Sequence, residues 1–148
     1  MSATERSVPR EAGVILTSVH GDMHGAHGLF RKGWPYEESV RVPLLVRPPG
    51  GTTPASRIQS LVTLLDVPAI TRSWAASEAW EPPVREELEI SMPSVVDLAH
   101  QCDRVWRGTR SARRKTIYNR DGTVWLEFDL ARDPFELENL AASPRAAR

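Results

Sequence analysis

Thr17-Ser-Val-His-Gly-Asp-Met-His-Gly-Ala-His-Gly-Leu-Phe-Arg-Lys-Gly33 is a polar, glycine-rich run that holds three of the chain's four histidines and a lysine set between Arg31 and Gly33. Two apolar runs bracket it, Val14-Ile-Leu16 before and Leu44-Leu-Val46 after. Short apolar runs bounded by turn residues read as buried strands, so Val14 to Thr17 and Leu44 to Val46 are expected to be such strands. A polar turn just past the carboxyl end of a strand is where open α/β sheets place their ligands. Geometry alone therefore makes this loop a candidate site.

The order of residues along the loop resembles the sulfatases of the alkaline-phosphatase superfamily. Thr17-Ser-Val-His-Gly-Asp22 stands where that family has its second metal-binding motif, T-S-D-H-G-D, and Gly25-Ala-His-Gly-Leu29 with Lys32-Gly33 follows the family's G-x-H-G-L-x-x-K-G. Tyr36-Glu-Glu-Ser39, Arg41-Val-Pro-Leu44 and the Pro48-Pro-Gly50 turn continue the match in the same order. The resemblance implies sulfuric ester hydrolysis, assisted by calcium and a formylglycine nucleophile. It also implies roles for single residues: His20 falls on the second member of the metal-binding pair, and Lys32 on the lysine that contacts the sulfate. Asp22 falls on a motif residue that is not usually a ligand, and is expected to hydrogen-bond the turn. The family's anionic ligand is Val19 here, so His20 is read as a vestigial metal position.

Calcium takes roughly six to eight oxygen ligands, and one imidazole beside a valine cannot hold it. No bound cofactor is therefore expected for this chain by itself. His20, His24 and His27 have helical spacing that could serve a softer metal, but Gly21, Gly25 and Gly28 disfavour a helix there, and solvated or hydrogen-bonded imidazoles are the better reading. The nucleophile signature of the family, C/S-x-P-x-R, does not occur in these 148 residues. The single cysteine, Cys102, is followed by Asp103-Arg-Val-Trp106 and reads as structural. Sulfate-ester chemistry is thus expected only if another segment completes the site; one half of a split sulfatase, or a non-catalytic interaction module with a partner chain over its exposed sheet, are the alternatives.

Moving outward, Pro35 ahead of Tyr36-Glu-Glu38 suggests a helical turn with acids at its positive end, closed before Pro43. Asp66, with Pro68 in the first turn, suggests a second helix that sets Ile70 and Trp74 on one face. Arg85 to Ile90 could be a strand, Val105 to Tyr118 resembles the family's late strand pair, and Asp121-Gly122 marks a hairpin to Val124-Trp-Leu-Glu-Phe128. Asp129-Leu-Ala-Arg-Asp-Pro134 through Leu140 resembles the family's closing Y-D-L-x-x-D-P-x-E-x-x-N-L, which implies a turn and a short terminal helix. The expected organisation is residues 1–72 as the end of a sulfatase catalytic domain, 73–100 as an altered connection and 101–148 as the carboxyl-terminal subdomain. The fold class is α/β: a remnant of the parallel or mixed sulfatase sheet, a small antiparallel sheet and that helix.

Formal net charge is zero with 41% hydrophobic residues, which suits a globular domain and gives no pull toward nucleic acid or acidic lipid. The basic run Arg104 to Lys115 is read as the solvated side of half-exposed strands rather than a nucleic-acid face. No apolar run nears the roughly 18 residues needed to span a bilayer, and no signal core precedes Val14, so a cytoplasmic, membrane-free protein is expected.

Overall fold

The computed structural model describes residues 9–51, 54–95 and 97–142. It is a mixed α/β arrangement of antiparallel sheets with few helices. β1 (Val14–Thr17) pairs antiparallel with β2 (Leu44–Arg47), and the loop between them carries the motif residues and α1 (Glu37–Val40). α2 (Val67–Ala75) follows. Then β3 (Glu87–Met92), β4 (Trp106–Ser111), β5 (Arg114–Asn119) and β6 (Val124–Asp129) form a four-stranded meander in chain order. No helix among the described residues is long and apolar enough to cross a membrane.

Alternation of side chains across the meander decides where the core lies. Ile90, Gly108, Ile117 and Leu126 lie opposite one another on successive strands, and the next such row is Leu88, Arg110, Lys115 and Phe128. Trp106, Ile117, Leu126 and Phe128 are buried on this face together with Cys102 and Leu130, while Trp34, Tyr36 and Val40 of the motif segment pack over them. The sheet therefore supports the segment that follows the histidine loop. α2 is entered as its sequence suggests, with Pro68 in the first turn and Ile70 fully buried. The Asp66 carboxylate turns back, however: it accepts from the Thr63 N–H at 2.9 Å and binds both Arg85 guanidinium nitrogens at 2.7 Å. The Arg85 hydrogen bonds hold the Asp66 carboxyl below its ordinary range despite burial.

Three expectations need correction. β1 and β2 form where the apolar runs lie, but they are not buried strands: Leu16 is 53% exposed and Leu45 62%, because neither face of this two-stranded ribbon is fully covered. The terminal helix is absent among the described residues, where 131–142 is a succession of turns. Asn139 explains this by clasping the edge of β6: its amide donates to the Trp125 carbonyl and accepts from the Glu127 N–H, while Leu140 N–H donates to the Glu127 carbonyl. Glu136 within the same segment has φ of 56°, which no α-helix tolerates. Lastly, Lys115 is not on a solvated strand face but fully buried.

Candidate functional site

The loop after β1 is too rich in left-handed backbone to form a helix. His24, Gly25, His27, Gly28, Arg31 and Gly33 all have positive φ, and only one 3-10 turn, Ala26–Gly28, interrupts it. Gly21 is set by close approach: its N–H donates to the Ser39 carbonyl at 2.8 Å, and a Cβ there would lie 1.8 Å from the Glu38 carbonyl oxygen. Gly33 has φ of 89°, its N–H donates to Ser39 Oγ at 3.1 Å, and its carbonyl accepts from the Trp106 indole N–H at 2.8 Å. The residue that follows Lys32 is thus anchored through both of its backbone groups, by Ser39 and by the sheet.

These constraints bring His20 and Lys32 together. Lys32 Nζ lies 3.0 Å from His20 Nε2, and His20 Nδ1 lies 2.7 Å from the Gly21 carbonyl oxygen. An ammonium only donates and a carbonyl only accepts, so Nδ1 carries the imidazole proton and the Nε2 lone pair faces Lys32. Val19 beside them is 82% exposed. Asp22 Oδ1 accepts from the His24 N–H at 3.0 Å. His27 sits elsewhere, stacked on Tyr36 with ring centroids 3.9 Å apart and its Nε2 3.8 Å from Glu38 Oε2. The three loop histidines therefore do not converge, and no group of three His, Cys, Asp or Glu side chains among the described residues could hold a metal ion.

Val19, His20 and Lys32 line one side of a cavity of about 390 Å³, with Ile90, Met92 and Trp106 of the sheet among its other walls. Cys102 packs in the core next to it, and burial pushes its thiol above the ordinary value. A nucleophilic cysteine needs the opposite shift, so the structure agrees with a structural role.

Sequence reasoning missed the ionic cluster that anchors this region. Lys115 Nζ lies 2.8 Å from Glu37 Oε1 and 2.6 Å from Glu136 Oε1, and donates to the Pro35 carbonyl at 3.0 Å. Arg110 binds the same Glu37 through two nitrogens, at 3.1 and 3.4 Å, and the Glu37 N–H donates to Glu136 Oε2 at 2.7 Å. Burial alone would raise Glu37, but Lys115 and Arg110 outweigh it and hold the carboxyl below its ordinary value; burial dominates at Glu136 and raises it, Lys115 offsetting only part. A signal was present: Lys115 has the strand parity of Ile117, which any reading of β5 turns inward.

No family model matches the chain. Over 150 aligned positions it is 30% identical to an arylsulfatase of Clostridium perfringens, covering 87% of this chain and 29% of that one. A choline-sulfatase of Rhizobium meliloti is 33% identical over 142 positions, with 89% and 27% covered. Among solved structures, a Bacteroides thetaiotaomicron protein assigned to the sulfatases shares the fold with a TM-score of 0.72, at 21% identity, over 90% of this chain and 32% of the other. The chain spans less than a third of the length of these relatives. On these likenesses the chain belongs to the sulfatase family and corresponds to a carboxyl-terminal portion of its members.

Proposed function

We propose that this chain forms the sulfate-holding side of a sulfuric ester hydrolase, with Lys32 as the cation that meets the sulfate oxygens. The observation that carries the reading is an exposed Lys32 ammonium 3.0 Å from His20 at the edge of a cavity; the resemblance of the loop to the family motif supports reading it as the lysine that contacts the sulfate. Fixed positive charge aimed at sulfate oxygens stabilises the charge that develops there during hydrolysis. The chain supplies no nucleophile of the family type, so catalysis requires a segment bearing C/S-x-P-x-R, whether from the same polypeptide or from a partner.

Sulfatases are generally metal-dependent. The residues here do not fit calcium: Val19 offers no donor, the Nε2 lone pair of His20 is taken by Lys32, and the adjacent ammonium repels a cation.

The test is turnover of 4-nitrophenyl sulfate. The chain alone should show none, with or without calcium; combined with a sulfatase segment that carries the nucleophile and the remaining carboxylates, it should show turnover that Lys32→Ala abolishes and Val19→Asp increases. Turnover by the isolated chain, or a reconstituted pair indifferent to Lys32→Ala, overturns the proposal. A pair that assembles but stays inactive favours the second reading, a non-catalytic interaction module, which the exposure of Leu16, Val19 and Leu45 supports.

A further inference from the structure

The tip of the motif loop meets α1 through a contact that the sulfate reading leaves unused. Ahead of Lys32 the chain makes an excursion closed by its own backbone: the Met23 N–H donates to the Arg31 carbonyl at 2.9 Å and the Gly25 N–H to the Leu29 carbonyl at 2.8 Å, with the 3-10 turn at the tip. Arg31 directly precedes Lys32, so whatever keeps the excursion shut also fixes where the Lys32 main chain starts. His27 stands at the tip with φ of 54°, yet its side chain is only 13% exposed, because the ring folds back on Tyr36 and faces Glu38.

Two features of this contact favour a charged imidazole. The Glu38 side chain is one-third exposed, but its Oε2 is buried without a hydrogen-bond partner and lies 3.8 Å from His27 Nε2. That separation is too long for a hydrogen bond and short enough for an ion pair, so a doubly protonated ring would aim an N–H at a carboxylate oxygen that otherwise has none. Stacking at 3.9 Å, with 19° between the planes, also sets the ring over the π face of Tyr36, which attracts a cation. Tyr36 adds no charge of its own, since burial first, then Glu136 and Glu38, push its hydroxyl up. The other charged groups around this contact are engaged elsewhere: Glu37 with Lys115 and Arg110, Glu136 with Lys115, and Asp22 with His24.

We propose that His27 and Glu38 form a proton-dependent clamp on the motif loop: the imidazolium holds the excursion shut against α1, and the neutral ring lets the tip come away. Histidine changes charge between about pH 5 and 8, so the clamp closes on the acid side of that interval and opens on the other. His27 is thereby a positioning residue for Lys32, a role that, unlike the clamp, rests on the assignment of Lys32 to the sulfate.

The experiment is hydrogen exchange on the full 148-residue chain at about pH 5.5 and about pH 8. Protection of the Met23 and Gly25 amides, taken relative to β5 amides that report global unfolding, should be about threefold or more greater at the lower pH, the effect of one partly exposed ion pair. Glu38→Gln and His27→Phe should each abolish the difference, the phenylalanine keeping the stack on Tyr36. Equal relative protection at the two pH values in the parent chain, or a difference that survives Glu38→Gln, overturns the clamp. Inorganic sulfate then separates the clamp from the reading beneath it: Lys32→Ala should abolish its binding, and His27→Phe should weaken it by about threefold at the lower pH only. If exchange behaves as expected but sulfate affinity is indifferent to Lys32→Ala, the clamp stands and the sulfate-holding role of Lys32 falls; if only His27→Phe is without effect on sulfate, the positioning role falls.

Discussion

The β1–β2 ribbon and the β3–β6 meander are both antiparallel, yet they hold themselves together differently. The meander has a buried face of its own, built on Trp106, Ile117, Leu126 and Phe128. The ribbon's paired Leu16 and Leu45 both stand mostly in solvent. What orders the motif loop is consequently the meander and not the strands from which the loop springs: the Trp106 indole holds the Gly33 carbonyl, and Lys115 holds Glu37 and the Pro35 carbonyl. A site read as belonging to β1 is mechanically part of the meander, whose Trp106 lies 73 residues after the Gly33 it holds.

The largest break in this dependence should come from Lys115→Met. Removing one partner of a buried ionic cluster leaves Glu136 without its cation and Glu37 with Arg110 and the more distant Arg41, at a cost of about 3–5 kcal/mol. Against a total of roughly 5–15 kcal/mol for a domain, that is enough to loosen the motif loop or unfold the chain. Urea unfolding at neutral pH should show it, and Lys115→Met combined with Glu136→Gln should recover a good part. A loss of less than about 1 kcal/mol in the single variant would mean that the cluster does not tie the two regions.

The same cluster predicts how stability follows pH, with opposite signs from its two carboxylates. Glu37 has a lowered folded pKa, so its contribution is complete above its unfolded value and disappears as pH falls through the folded one. Glu136 has a raised folded pKa, so the folded state binds its proton more readily, and that contribution is complete at low pH and lost as pH rises through the folded value. Their sum should peak near the ordinary value of a glutamate carboxyl, where both contributions are complete, and thermal midpoints should fall away on either side of it. Glu136→Gln should flatten the decline at higher pH while leaving the acid limb in place; an unaltered profile would remove Glu136 as its source.

The meander was legible because its signals are local. Asp121-Gly122 needs no tertiary context to make a hairpin, and the alternation in Val124-Trp-Leu-Glu-Phe128 places Leu126 and Phe128 inward. The motif loop could be placed in order but not in space. Nothing in the spacing of His20, His24 and His27 reveals that positive φ at His24 and His27 turns them apart, leaving Lys32 as the neighbour of His20. Charge misled where burial overrode it: Lys115 looked like one more member of a basic run, although its strand parity turns it inward, and Glu37, Glu136 and the Pro35 carbonyl, from distant parts of the chain, make that burial tolerable. The turns after Asp133 likewise depend on Asn139 finding the β6 edge, a partner that helix propensity does not register.

The smallest effect on stability should come from the ribbon. Leu16 and Leu45 face each other across the β1–β2 register, with 53% and 62% of their surface in water, so little apolar area is lost when both are changed. Replacing them as Leu16→Glu with Leu45→Lys puts opposite charges at directly paired positions, an arrangement worth about 0.2–1 kcal/mol in a sheet, and that gain offsets part of the lost contact. Net unfolding free energy should shift by no more than about 0.5 kcal/mol, as for surface changes generally. Association is another matter: exposed apolar side chains on an open-edged ribbon favour pairing with another surface, and charges discourage it. Light scattering at increasing concentration should show the parent chain self-associating and the double variant remaining dispersed. If the double variant instead unfolds at low urea, the leucines belong to a core that includes the motif loop, and the contrast between ribbon and meander fails. If it stays folded and associates as before, the sticky surface lies elsewhere, and the interaction-module reading loses the face on which it rests.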